Sequence, residues 1–144
     1  MKISLCRDIG LLLTEKAYEV YSPCMYRPDY EKYTAFIGSI FPKSRAFISE
    51  DESICGILIL DRNADIPEIV GIAVAEKYRG KGTGRALIRY AVSSEGLCAL
   101  FAQTDDDAVG FYLKCGFHAE KKEIAYPDGI AVRYDCIYIP EKDI

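Results

Sequence analysis

Apolar and polar positions follow two different periods along this chain, and the switches between them outline its elements. Lys2 to Cys6 alternates apolar with polar and predicts a short first strand. A moderately patterned helical segment follows over 11–21. A stronger one spans 29–41, where Tyr33, Phe36, Ile37, Ile40 and Phe41 recur at helical spacing behind Asp29, a residue suited to the helix start. Segments 45–49 and 54–60 read as strands joined by the polar turn 50–53. After the turn at 61–67, the run 69–75 is apolar throughout except for Gly71, which predicts a central strand with a bulge or a close backbone approach at that glycine.

The second half continues in the same manner. Leu87, Ile88, Ala91 and Val92 form one buried stripe on a helix over 84–94 that Gly96 would stop. Residues 97–102 form an apolar run that reads as a strand. Gln103 to Asp107 then opens a helix whose three aspartates complement its positive end, with Gly116 as its C-terminal cap. A hairpin over 117–126 and 130–139, turning at Pro127-Asp128-Gly129, closes the pattern. The predicted order is β-α-α-β-β-β-α-β-α-β-β, an α/β (α+β) class of fold. A chain of 144 residues, half of them apolar, can bury about two thirds of its unfolded surface, so residues 1–144 are expected to form one domain.

Between the central strand and its helix lies Arg79-Gly80-Lys81-Gly82-Thr83-Gly84. Glycines at alternate positions leave backbone N–H groups free to face a ligand, and the helix that starts there brings a partial positive charge. Lys77, Arg79, Lys81 and Arg85 cluster around the same point, so a pyrophosphate is the expected occupant. Neither common phosphate motif applies. No Gly-Lys pair here precedes Ser or Thr, and the last glycine of G-x-G-x-x-G would fall on Arg85 or Leu87.

Composition sharpens this reading. A net charge of -4 argues against a general nucleic-acid binder and makes the local basic cluster more informative. The six cysteines form no C-x-x-C pair and read as reduced, and the single histidine, His118, has no neighbours at metal-ligand spacing, so no metal is expected. Neither a signal peptide nor a membrane-spanning run is visible, and a cytoplasmic location without membrane or nucleic-acid partners is the expectation.

Val74, Arg79, Gly82 and Gly84, together with the phrase from Ala108 to Phe117 (A-V-G-F-Y-L-K-C-G-F), resemble the acetyl-coenzyme A signature of the GNAT superfamily of N-acetyltransferases. The resemblance covers essentially the whole chain. It implies a mixed central β-sheet with helices on both faces, and acetyl-CoA as cosubstrate without a metal. Backbone groups of Ile72, Ala73 and Val74 would pair with the pantetheine arm, while Arg79, Gly80, Lys81, Gly82, Thr83, Gly84 and Arg85 would hold the pyrophosphate. Tyr112 would protonate the leaving thiolate, and Glu68, on the central strand, would take the amine's proton. Asp105 stands where many relatives carry an asparagine that contacts the cofactor. A break in pairing beside Gly71 would free an N–H for the thioester oxygen.

The loop 22–28 corresponds to a region that helps line the acceptor site, which singles out Met25, Tyr26 and Arg27. The acceptor is expected to be a primary amine, on a small molecule or peptide, that is cationic in solution. Direct attack in a ternary complex is favoured over a covalent route, because Cys98 and Cys115 have no evident activating base. The alternative is an acyl-CoA binding or sensing module without catalysis. The chain is expected to act as a monomer or homodimer.

Overall fold

The computed structural model describes residues 1–140. Seven strands form one sheet: β1 (Lys2–Leu5), β2 (Arg45–Glu50), β3 (Ile54–Asp61), β4 (Glu68–Val74), β5 (Leu100–Thr104), β6 (His118–Tyr126) and β7 (Gly129–Tyr138). Their order is β1-β2-β3-β4-β5-β7-β6. Neighbours run antiparallel except β4 and β5, which are parallel. The helices are α1 (Glu15–Tyr21), α2 (Tyr30–Ile40), α3 (Thr83–Glu95) and α4 (Val109–Lys114), so the order of elements is the one the pattern predicts.

The helices cover both faces. Leu58 and Leu60 of β3 pack with Leu87 and Ile88 of α3 and with Tyr112 of α4. Ile57 and Ile59, pointing the other way, pack with Val20 and Tyr21 of α1 and with Tyr33 and Ile37 of α2. Burial on both faces explains why β3 reads as a continuous apolar run instead of an alternating one. Among the described residues no helix is long and apolar enough to cross a membrane.

Three boundaries differ from the sequence pattern, each for a local reason. The first helix begins at Glu15 and not at 11, because the Thr14 hydroxyl accepts from the Ala17 N–H at 3.1 Å and residues 9–11 form a separate 3-10 turn. The strand expected from 97 begins at Leu100. Gly96, in the left-handed region at φ 62, ends α3, and Leu97 belongs to that closure, with its N–H on the Val92 carbonyl at 3.0 Å and its side chain buried. The helix expected to open at Gln103 begins at Val109. Gln103 and Thr104 still pair with Asp135 and Tyr134 of β7, and Asp105 forms the turn that follows.

Candidate active site

The parting of β4 from β5 creates the site. The two strands share one registered pair, Glu68 with Phe101, supported by the Phe101 N–H on the Pro67 carbonyl at 2.8 Å. On the other side of β4 the register with β3 shifts: Ile59 lies opposite Gly71 but Leu60 lies opposite Ile69, leaving Val70 as the extra residue of a bulge. Beyond it, Gly71 to Val74 pair only with β3, while Gln103 and Thr104 pair only with β7, so a cleft opens between them. Gly71 itself provides a close approach, since a Cβ there would overlap the hydroxyl of Tyr21. Of the bulge or close backbone approach expected at this glycine, the bulge falls one residue earlier, at Val70, and the approach at Gly71 is made by the Tyr21 side chain.

Two adjoining cavities occupy the cleft. One, of about 630 Å³, lies on the α3–α4 side between Val74, Gly82, Gly84, Arg85 and Phe111. The other, of about 820 Å³, opens between Cys24, Gly71, Gln103, Asp107 and Arg133. Both are walled by Ile72, Ala73, Val74, Arg79, Ala108 and Tyr112, which makes Tyr112 a residue of their common boundary.

The glycine-rich turn lines the first cavity. Gly80 and Gly82 take φ of 75° and 82°, conformations that side chains rarely adopt, and a Cβ on either would meet open space. Gly82 is the N-cap of α3 and no side chain caps that end, so the first N–H groups of this thirteen-residue helix keep their capacity for an anion. Gly84 has a different role: a Cβ there would lie 2.8 Å from the ring of Phe111, so its absence lets α4 seat against α3.

The basic residues divide. Arg79 donates from Nε to the Val74 carbonyl at 2.9 Å, which lays its side chain across the end of β4, and Arg85 lines the first cavity. Lys81 does not line it. Lys77 and Lys81 lie over the Tyr78 ring at 5.8 and 6.0 Å from its centroid. The Tyr78 hydroxyl donates to Asp51 at 2.7 Å, and that bond pushes its pKa up to about 12.

Tyr112 is buried, with its ring edge-on to Phe111 and Phe117 at 5.2 Å from each. Burial pushes its phenol well above the ordinary value, so it remains a neutral O–H at any physiological pH. Tyr21, 2 % exposed, is raised in the same way and for the same reason. Cys24 completes the cluster: its thiol donates to the Ile72 carbonyl at 3.1 Å. Cys24 keeps solvent-exposed surface, and crowding of its thiol at the cleft wall pushes the pKa up against the opposing Ile72 bond and Arg79, which leaves it a protonated donor.

The remaining expected residues are placed as follows. Met25 packs against the α1–α2 core, Tyr26 is 83 % exposed under the Arg27 guanidinium at 5.3 Å, and none of the three lines either cavity. Their neighbours Pro23 and Cys24 do line the second one. Glu68 sits where β4 and β5 are still paired, at the base of the cleft and outside both cavities. Asp105 lines the second cavity, and its Oδ1 accepts from the N–H groups of Asp107 and Ala108 at 3.0 Å each, which closes the turn leading into α4, a helix whose own N-cap, Ala108, makes no side-chain cap bond. Of the cysteines weighed from sequence, Cys115 reaches the first cavity and Cys98 reaches neither. Among the described residues no three His, Cys, Asp or Glu side chains are grouped as a metal ion would require.

Residues 42–119 match the model of the acetyltransferase (GNAT) domain family. The chain belongs to the GNAT acetyltransferase family. Solved structures share the fold across nearly the full length. The ribosomal-protein-S18-alanine N-acetyltransferase from Escherichia coli superposes with a TM-score of 0.70 at 18% identity, over 96% of this chain and 92% of that one. An aminoglycoside 6'-N-acetyltransferase complexed with coenzyme A gives 0.72 at 15% identity, over 99% and 100%. A Bacillus subtilis acetyltransferase in complex with CoA gives 0.67 at 16%, over 97% and 99%. No curated protein matches the chain by sequence.

Proposed function

We propose that this chain transfers an acetyl group from acetyl-CoA to a primary amine by direct attack within a ternary complex. The observation that carries the reading is a cleft with two chambers and a neutral, buried phenol on their common wall. The uncapped start of α3, with Arg79 and Arg85, supplies donors for a pyrophosphate. The edge of Ile72 to Val74 that faces away from β3 offers N–H groups that an extended amide-bearing arm can pair with, while its Ile72 and Val74 carbonyls already accept from Cys24 and Arg79. That two of the structural neighbours carry CoA supports the same ligand here.

With the thioester at the junction, the amine enters from the larger chamber. Its nitrogen attacks the carbonyl carbon, an N–H freed at the Val70 bulge receives the developing oxyanion, the C–S bond breaks, and Tyr112 gives its proton to the thiolate. The proton lost by the amine goes through water to Glu68, the carboxylate of β4 at the paired end of the seam and outside both chambers. Among the described residues the Cys24 thiol donates only to the Ile72 carbonyl and keeps its proton, which favours direct transfer over an acyl-cysteine intermediate.

Acetyl-CoA at a hundred times its dissociation constant should add about 2.7 kcal/mol of stability, read as a rise in melting temperature, and thiol release should require an amine. Gly82→Val forces a β-branched residue into a left-handed turn against the ligand and should abolish the rise. A folded Gly82→Val protein with an undiminished rise removes the pyrophosphate site.

A further inference from the structure

We propose that the acceptor carries a carboxylate as well as its amine, an amino acid in place of a diamine or an aminoglycoside, and that Arg133 holds that carboxylate. This rests on the acetyltransferase reading and specifies its substrate. Arg133 stands on β7, on the wall of the larger cavity that the glycine turn does not reach. Alternation along β7 puts Tyr134, Cys136 and Tyr138 on the α3–α4 core, so Arg133 and Asp135 share the opposite face.

On that face the charges are unevenly matched. The residue directly across the ladder from Arg133 is Lys122, a like charge where an opposite one would stabilise. Asp135, the nearest acid along the strand, is already committed: it pairs with Lys122 and accepts from the Gln103 amide at 3.2 Å. Arg133 donates only to the neighbouring Val132 carbonyl, at 3.1 Å, and among the described residues it meets no carboxylate. A half-buried guanidinium beside a second cation, facing a cavity, is relieved by an anion with two oxygens.

The same cavity also carries Asp107, which is not in ion-pair contact with Arg133. The wall also holds Arg79 and Asp105, but both are engaged with backbone groups, Arg79 with the Val74 carbonyl and Asp105 with the Asp107 and Ala108 N–H groups, so Arg133 and Asp107 are the opposite charges left to a ligand bearing both. Such a wall disfavours a dianion and gives a polycation no advantage. The overall charge of -4 favours cationic acceptors at long range, but the groups within the cavity decide what is held there.

The test is acetyl-CoA-dependent thiol release with glycine, β-alanine, γ-aminobutyrate and lysine, each against its primary amide, with putrescine as the diamine. The series varies the reach between nitrogen and carboxylate. Each amide is the less basic amine and has more free base at neutral pH, so intrinsic reactivity favours the amides. We expect at least one amino acid to exceed its amide by roughly tenfold to a hundredfold in kcat/KM, the worth of a charged hydrogen bond. Arg133→Gln should erase that preference through KM, Arg133→Lys should keep part of it, and both should retain the melting rise with acetyl-CoA.

Amides or putrescine used as well as the amino acids would overturn the proposal. So would a preference that survives in Arg133→Gln. If no amino acid is acetylated and none raises the melting temperature of the CoA-loaded protein above its amide, the proposal also falls. Failure of acetyl-CoA itself to bind is a separate result, which takes down the acetyltransferase reading first.

Discussion

At the scale of single residues, similar side chains in this cleft have different duties. Tyr112 and Tyr21 are both buried and both held neutral, yet only Tyr112 lies on the wall common to the two chambers. Tyr112→Phe removes one oxygen from a ring fixed by Phe111 and Phe117, so acetyl-CoA should bind as before while turnover falls by about a hundredfold or more. Glu68→Gln should instead lower kcat/KM most at neutral pH, where little of the amine is free base. Superimposable pH profiles for mutant and wild type would remove Glu68 from the mechanism. Tyr21 answers to a different measurement. Gly71→Ala drives a methyl into its hydroxyl and should cost about 1–3 kcal/mol of stability, and the same change made in a Tyr21→Phe background should cost distinctly less. Equal costs in both backgrounds would mean that the hydroxyl is not what the glycine accommodates.

Single elements show where sequence reading succeeds and where it stops. The start of α2 was legible because its signal is local: Asp29 accepts from the Lys32 N–H at 2.7 Å, one turn away. Leu97 was not legible, because an apolar residue that closes a helix against the core has the same composition as the first residue of a buried strand. The glycine turn could be read for the first reason. Cys24 and Arg133 could not, since each reaches the cleft through a long-range pairing, one with Ile72 and the other within the β5-β7-β6 ladder. The signal that pointed towards Cys24 was the family resemblance of the loop 22–28, which located the loop but not the residue.

The β6–β7 hairpin carries its own prediction. Lys122 holds the Asp135 carboxyl below its ordinary 3.8, with Gln103 assisting. A depressed carboxyl stabilises the fold above its unfolded value and loses that contribution as pH falls through the folded one. Lys122→Gln should therefore lower the melting temperature at neutral pH, and the gap to wild type should close in acid well below 3.8. A gap that is constant across that range would show that the pair contributes nothing through charge.

For the whole molecule, the consequential feature is how little joins β4 to β5. A seven-stranded sheet is continuous in name, but across this seam it is a book held at one stitch, with four strands as one leaf and β5, β7 and β6 as the other. Amide exchange in such a sheet follows local opening, and the smaller leaf has the fewer ties to break. A ligand arm lying along Ile72 to Val74 would act as binding thread for the missing stitches. CoA should then slow exchange across β5 and β7, including amides remote from any ligand atom, by more than it slows β1 and β2. Protection confined to the glycine turn would show that the leaves are already bound together without it.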